Sequence, residues 1–387
     1  MSAPTPEWIS SVAKVAEGLA EDIIRLTTEI TEVAAPTNDE SDRAALVHRR
    51  FKELGYQDVV TDQLSDVVGR LPGKHPDRPA VLLAAHTDTV FPRDVPIKVT
   101  RKNDILAAPG VGDNSVSVAT VALLATALDR LGIVPATDIY VTGNVGEEGL
   151  GDLRGMRAVV ESLPNLGAAI AVEGHSLGRI TYRAVGSKRF RVTVTGPGGH
   201  SWGDAGRPSA IHALSKLVAK LDEIPLTSEP KTSLNVGLFE GGISVNTIAP
   251  VATAVIDMRS TNADALERLV ARVESTIKTV QSKEISVQVE VVGDRPAGEV
   301  PIESAIVPIG VRVLKSLGID AICDASSTDA NIPISRGIPA ICIGLTTGGN
   351  AHRVDEFIRL EPLGRGFTQL ILTTLAVCDA VAGGTLA

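Results

Sequence analysis

Aromatic side chains are scarce in this 387-residue chain, two Trp, three Tyr and six Phe, too few for a base-stacking nucleic-acid surface. Basic excess is missing as well. The 37 Lys and Arg against 46 Asp and Glu leave a net charge of −9, which argues against binding a phosphate backbone. Cysteine is limited to Cys323, Cys342 and Cys378, an odd number in apolar surroundings, so a disulfide framework is not expected and buried reduced thiols are. No apolar run approaches the ~18–20 residues that a bilayer span requires. The N-terminal MSAPTPEWISSVAKVAEGL has no charged segment followed by an apolar one, so no signal peptide is read there. These absences predict a cytoplasmic chain with neither a nucleic-acid nor a membrane partner.

What is present is ordinary globular material, 44% hydrophobic and 21% charged, and the length favours two domains. Apolar positions at helical spacing predict one helix across residues 6–33 and a second over 41–54 with Gly55 as its stop. Short strands follow at 58–61 and 67–71, then VLLAAHTDTVFP at 81–92, an apolar strand ending in His86, Thr87 and Asp88. A helix at 115–131, a strand at 138–145 ending in Gly146-Glu147-Glu148, a helix at 155–162 and a strand at 168–172 ending at Glu173 complete the alternation. That order predicts an α/β fold with a mainly parallel sheet and helices on both faces.

After about Arg183 the pattern changes to β-α-β-β-α-β, with strands near 188–195, 233–239, 251–259 and 285–292 and helices at 209–221 and 261–280. Thr261 and Asp264 have the spacing of a capping box for the second helix. This is the order of a ferredoxin-like α+β unit. Helix–strand alternation resumes near Pro301, with a strand at 340–345 and a last helix at 364–381. The expected division is therefore a first domain made of 1–183 and 295–387, interrupted by an inserted domain at 184–294.

Metal sites need three or more His, Asp, Glu or Cys side chains converging from separate elements. His86 and Asp88, Asp113, Glu147 and Glu148, Glu173 and His352 all end or follow apolar strands, where α/β sheets present their chemistry. Each alone reads as a solvated loop charge or a surface His. Together they are harder to place as surface.

HTDTV, GVGDN, GEEG, VEGH and AHRVDE, in that order, resemble the metal-binding sequence of the M20 family of dinuclear metallopeptidases and amidohydrolases, which includes aminoacylases, glutamate carboxypeptidases and peptidase T. The resemblance covers nearly the whole chain. It implies a zinc-peptidase-like catalytic domain with an inserted lid and dimerisation domain, hence a homodimer. It also implies two divalent metal ions, Zn²⁺ first, with Co²⁺ or Mn²⁺ as alternatives.

In that family pattern Asp113 bridges the metals, His86 and Glu173 hold one, and Glu148 and His352 hold the other. Asp88 orients the His86 imidazole, and Glu147 is the general base for a metal-bridging water. His200, in GPGGHS, stabilises the oxyanion. Asn246 and Arg259 bind the substrate carbonyl and carboxylate, and Asp329 and Asn331 line the cleft. The implied substrate is a small peptide or an N-acyl amino acid, cleaved at its amide bond. Ser115 and Ser117 stand where relatives often carry Lys or Gly, which weakens any substrate assignment copied from one subfamily.

One rival motif exists. Gly174-His175-Ser176-Leu177-Gly178 fits G-x-S-x-G, with Asp329 and His352 following in triad order. The elbow must turn into a helix, and Arg179-Ile180-Thr181-Tyr182 reads as strand instead. A catalytically decayed binding protein is the remaining alternative, against which the full ligand set argues.

Overall fold

The computed structural model describes residues 5–386, which form two compact units. One runs to Arg183 and resumes at Glu299, and the other is Ala184–Gly298. The second unit ends later than residue 294 because its last strand, Ser286–Arg295, runs on that far.

In the first unit four parallel strands form the middle of a mixed sheet, in the order Ile139–Asn144, Ala80–His86, Leu166–Glu173, Ala340–Gly344. Val67–Leu71 and Gln57–Thr61 extend one side antiparallel, and Arg179–Ala184 pairs antiparallel on the other. All seven residues of Ala80–His86 are buried. A strand covered on both faces needs no polar alternation, which is why AVLLAAH reads as an unbroken apolar run. The register pairs His86 with Asn144 and Gly344 with Glu173, so the carboxyl ends of the four parallel strands lie level with one another.

Several boundaries differ from the sequence expectation. The segment 6–33 is two helices, Pro6–Glu17 and Ala20–Thr31, because Gly18 caps the first and buried Leu19 starts the second. The 115–131 helix is Val116–Ala122 followed by Leu124–Leu131, preceded by a wide turn at Val111–Ser115. Within Val111–Leu131 an 18-residue window does have the length and apolar character of a bilayer span, contrary to the sequence expectation. It is 83% buried inside the fold, where a core helix packed on a sheet is equally apolar.

The second unit is a four-stranded antiparallel sheet in the order Thr232–Gly241, Val251–Ser260, Gly186–Thr195, Ser286–Arg295. Helices Ala210–Asp222 and Ala263–Lys278 cover one face, burying Phe190, Val192, Val194, Leu217, Ile256 and Val273. The second helix is capped by Asn262, whose Oδ1 accepts the Ala265 N–H at 2.9 Å, rather than by Thr261. Asn262 is extended at φ −135°, ψ 130°, the backbone that an N-cap requires.

Asp66 ends the loop before Val67–Leu71, is 1% exposed, and accepts the Val145 N–H at 2.8 Å. Burial, then the charge of Asp62, pushes its carboxyl up to about 8. The folded chain therefore holds a proton at neutral pH that the unfolded chain releases near pH ~3.9. That stabilisation is complete below the unfolded value and is lost as pH rises through the folded one. Asp66→Asn should remove this dependence. Wild type should lose stability relative to the variant between pH ~5 and 8, by at most ~1.4 kcal/mol per pH unit, in urea midpoints measured against pH. Parallel profiles would refute it.

Candidate active site

The parallel strand ends bring five predicted residues into one cluster. His86 Nε2 lies 3.1 Å from Asp113 Oδ1 and 3.7 Å from Glu173 Oε2. His352 Nε2 lies 3.1 Å from Asp113 Oδ2 and 3.0 Å from Glu148 Oε1. Two ligand groups result, His86–Asp113–Glu173 and Asp113–Glu148–His352, each with donor atoms within 4.8 Å of one another. Asp113 is common to both and gives one oxygen to each side.

The electrostatics are those of a cation site. Burial opposes a charge on His86, but Asp113, Asp88 and Glu173 more than offset it and raise the imidazole well above its ordinary value. Asp113 and Glu148 raise His352 to about 10. Burial would raise Asp113, yet the two histidines hold it far below the usual carboxylate range. The carboxylates demand positive charge, and a pair of divalent cations meets that demand with neutral imidazoles as ligands. The donors are nitrogen and carboxylate oxygen without thiolate, a set that suits Zn²⁺, Co²⁺ or Mn²⁺. The residues fit the metal pair.

Asp88 has a wider role than the sequence suggested. Its main-chain oxygen, not its carboxylate, is the closer partner of His86 Nδ1, at 3.1 Å against 3.6 Å. The carboxylate accepts the Glu147 N–H on Oδ1 and the Glu148 N–H on Oδ2, both at 3.0 Å, and the Thr37 hydroxyl at 2.8 Å. Burial would raise this carboxyl, and His86, the Glu148 N–H and Thr37 bring it below its usual range. One side chain thus fixes the turn that carries two adjacent glutamates.

Arg43, which the sequence did not single out, supports the same place from behind. It is fully buried and donates to the carbonyls of Thr87 at 2.7 Å, Val33 at 2.8 Å and Thr31 at 3.3 Å.

Asp329 and Asn331 are expected from the sequence to line the cleft. Both are buried, at 2% and 0% exposure. Asp329 accepts from Asn144 Nδ2 at 2.8 Å, and the Asn331 carboxamide oxygen takes the Thr328 N–H at 3.0 Å. Asp329 thus ties its loop to the end of Ile139–Asn144, and Asn331 closes its own turn.

Ser176 is followed by the strand Arg179–Ala184, not a helix. Its supposed partners are engaged elsewhere, Asp329 with Asn144 and His352 with Asp113 and Glu148. The serine-hydrolase alternative is removed.

In the second unit His200 and Asn246 sit on paired segments, Gly199–His200 against Thr247–Ile248. His200 Nδ1 accepts the Trp202 and Gly203 N–H groups, both at 3.2 Å, so the neutral ring carries its proton on Nε2 and is a donor there. Asn246 Oδ1 accepts from Ser244 at 2.7 Å. Arg259 is tied through Nε to Asp257 at 2.7 Å, and Arg189 shares that carboxylate at 2.8 Å.

The sequence profile of peptidase family M20/M25/M40 matches residues 82–374. The chain belongs to this family. It is a metal-dependent hydrolase of amide bonds. Among its relatives are the uncharacterized protein YqjE of Bacillus subtilis, 24% identical over 87% of this chain and 92% of that one, and a probable carboxypeptidase of Aspergillus flavus, 28% identical over 77% and 75%. Among solved structures, a Staphylococcus aureus tripeptidase superposes with TM-score 0.80 at 20% identity, covering 93% of this chain and 99% of that one. A Bacillus subtilis protein described as a dinuclear metal-binding peptidase of the M20 family superposes with TM-score 0.69 at 14% identity, over 94% and 99%.

Asp88→Asn keeps size but turns an NH₂ toward one of the two buried glutamate N–H donors. An unsatisfied buried donor costs about 1–3 kcal/mol. The variant should lose that much in denaturant unfolding and should also lose activity, and unchanged values for both would remove the clamp.

Proposed function

We propose that this M20 peptidase is a two-metal hydrolase of short peptides that carry a free carboxylate. The observation that carries the reading is the Asp113 carboxylate, 3.1 Å from His86 through Oδ1 and 3.1 Å from His352 through Oδ2. Two cations held close together would repel unless an anion lay between them, and Asp113 would supply that anion. His86 and Glu173 complete one ligand set, and Glu148 and His352 the other. The ions are Zn²⁺, with Co²⁺ or Mn²⁺ as substitutes, and when bound they polarise the scissile carbonyl and acidify the attacking water.

The protein's own groups do the rest. Glu147, buried on the turn that Asp88 holds, takes the proton from the water as its oxygen adds to the carbonyl carbon. It then delivers that proton to the amine nitrogen as the C–N bond breaks. His200 Nε2 and the Asn246 amide donate to the carbonyl oxygen as negative charge develops there. Arg259 pairs with the substrate carboxylate, which its planar fork matches. The carboxypeptidase and tripeptidase relatives support short peptides as the substrate class. Asp329 and Asn331 line the cleft in this reading, Asp329 tied to the strand end through Asn144.

Homodimerisation through the inserted domain accompanies this reading. Thr232–Gly241 is an edge strand, and Leu238 and Phe239 on it are 58% and 43% exposed, an edge that a second copy can cover. Sedimentation should give a dimer at micromolar concentration, and a monomer would refute this part.

The decisive experiment assays wild type and Glu147→Gln against free dipeptides and tripeptides, their C-terminal amides, and N-acyl amino acids. Wild type should cleave the free peptides in a chelator-sensitive way and lose the amides. Glu147→Gln should keep two metals per chain with kcat down ~10²–10⁴-fold. Turnover near wild type would sink the role of Glu147, and cleavage of N-acyl amino acids alone would make the enzyme an acylase.

A further inference from the structure

Asp113 can serve two histidines only if its backbone is held at one fixed angle, and the structure contains a dedicated anchor for it. The Glu356 carboxylate is 0% exposed and collects four donors. Its Oε1 accepts the Gly112 N–H at 2.9 Å, the Asp113 N–H at 2.8 Å and His175 Nε2 at 3.0 Å, and its Oε2 accepts the Gly110 N–H at 2.8 Å. Three N–H groups of one four-residue loop converge on a single side chain, away from water.

The backbone delivers Glu356 to this position. It precedes the strand Phe357–Arg359, which pairs with Ile105–Ala107, and its own carbonyl accepts the Ala108 N–H at 3.1 Å. The contact is close enough to require glycine on both sides. A Cβ on Gly112 would lie 2.4 Å from His175 Nε2, and one on Gly174 would lie 2.0 Å from the Gly112 oxygen. Glu356 follows His352 by four residues, and its partner His175 follows Glu173 by two. One carboxylate therefore ties together the three segments that carry Asp113, Glu173 and His352.

We infer that Glu356, seconded by His175, is the positioning residue that sets the bridging carboxylate of Asp113 and with it the spacing of both ligand groups. The inference rests on the two-metal reading above. A carboxylate is required because four donors must be met by two oxygens. Glutamine offers one acceptor oxygen and places an NH₂ against a backbone N–H. Alanine leaves all four donors unmet in a buried place.

The test titrates the metal-free full-length chain with Co²⁺, reading visible absorption alongside circular dichroism and thermal unfolding of the metal-free form. Wild type should take up two Co²⁺. Glu356→Gln should keep its circular dichroism, melt somewhat lower without metal because one buried N–H is left unmet, bind Co²⁺ ~10–100-fold more weakly, show an altered visible band, and lose kcat with KM little changed. His175→Ala, which removes one donor and leaves the loop's acceptor in place, should show a smaller change of the same kind. Glu356→Ala should be worse than Gln, and if it does not fold the Gln variant decides. Two Co²⁺ bound by Glu356→Gln with wild-type affinity and spectrum would overturn the inference alone. Fewer than two Co²⁺ in wild type would overturn the two-metal reading and this inference with it.

Discussion

Three carboxylates, Asp113, Glu148 and Glu173, crowd two imidazoles at the carboxyl ends of the parallel strands of a mixed sheet, and the rest of the first unit is arranged to hold that charge together. Like charges at this separation repel by several kcal/mol in a partly buried setting, so the cluster persists only with positive charge among them. The fold contributes rigidity. Level strand ends fix His86 and Glu173, and a small sheet between Ile105–Ala107 and Phe357–Arg359 brings the Asp113 loop beside the segment carrying His352. The constraint is electrostatic, and the solution is geometric.

Two buried carboxylates, Asp88 and Glu356, serve this cluster without belonging to it. Each takes consecutive or near-consecutive backbone N–H groups from a turn that bears ligands, Glu147 and Glu148 for Asp88, and Gly110, Gly112 and Asp113 for Glu356. Turns without regular hydrogen bonding leave such donors open, and a buried open donor is costly. A carboxylate with two oxygens closes several of them at once. The irregular backbone around Asp113 is therefore stabilised by side chains of opposite hydrogen-bonding character, drawn from distant parts of the chain.

In the second unit two side chains have their hydrogen-bonding polarity fixed locally. His200 has its tautomer set by two backbone N–H groups, and Asn246 has its oxygen occupied by Ser244. Both arrangements turn an ambiguous side chain into a donor of fixed polarity.

Strand and helix periodicity, the carboxyl-end placement of His86, Glu148 and Glu173, and the β-α-β-β-α-β order of the inserted unit were determined by the sequence alone, because burial patterns and strand ends are local. The split of 6–33 at Gly18 and the Asn262 cap were also local, but choosing between neighbouring cap residues needs the actual φ and ψ. The anchoring by Glu356 and His175, the double grip of Asp88, the Arg43 support and the buried state of Asp329 and Asn331 were decided only by tertiary structure. Most of them depend on pairing between segments dozens to hundreds of residues apart. No one-dimensional spacing records which buried N–H groups a folded loop leaves to be satisfied.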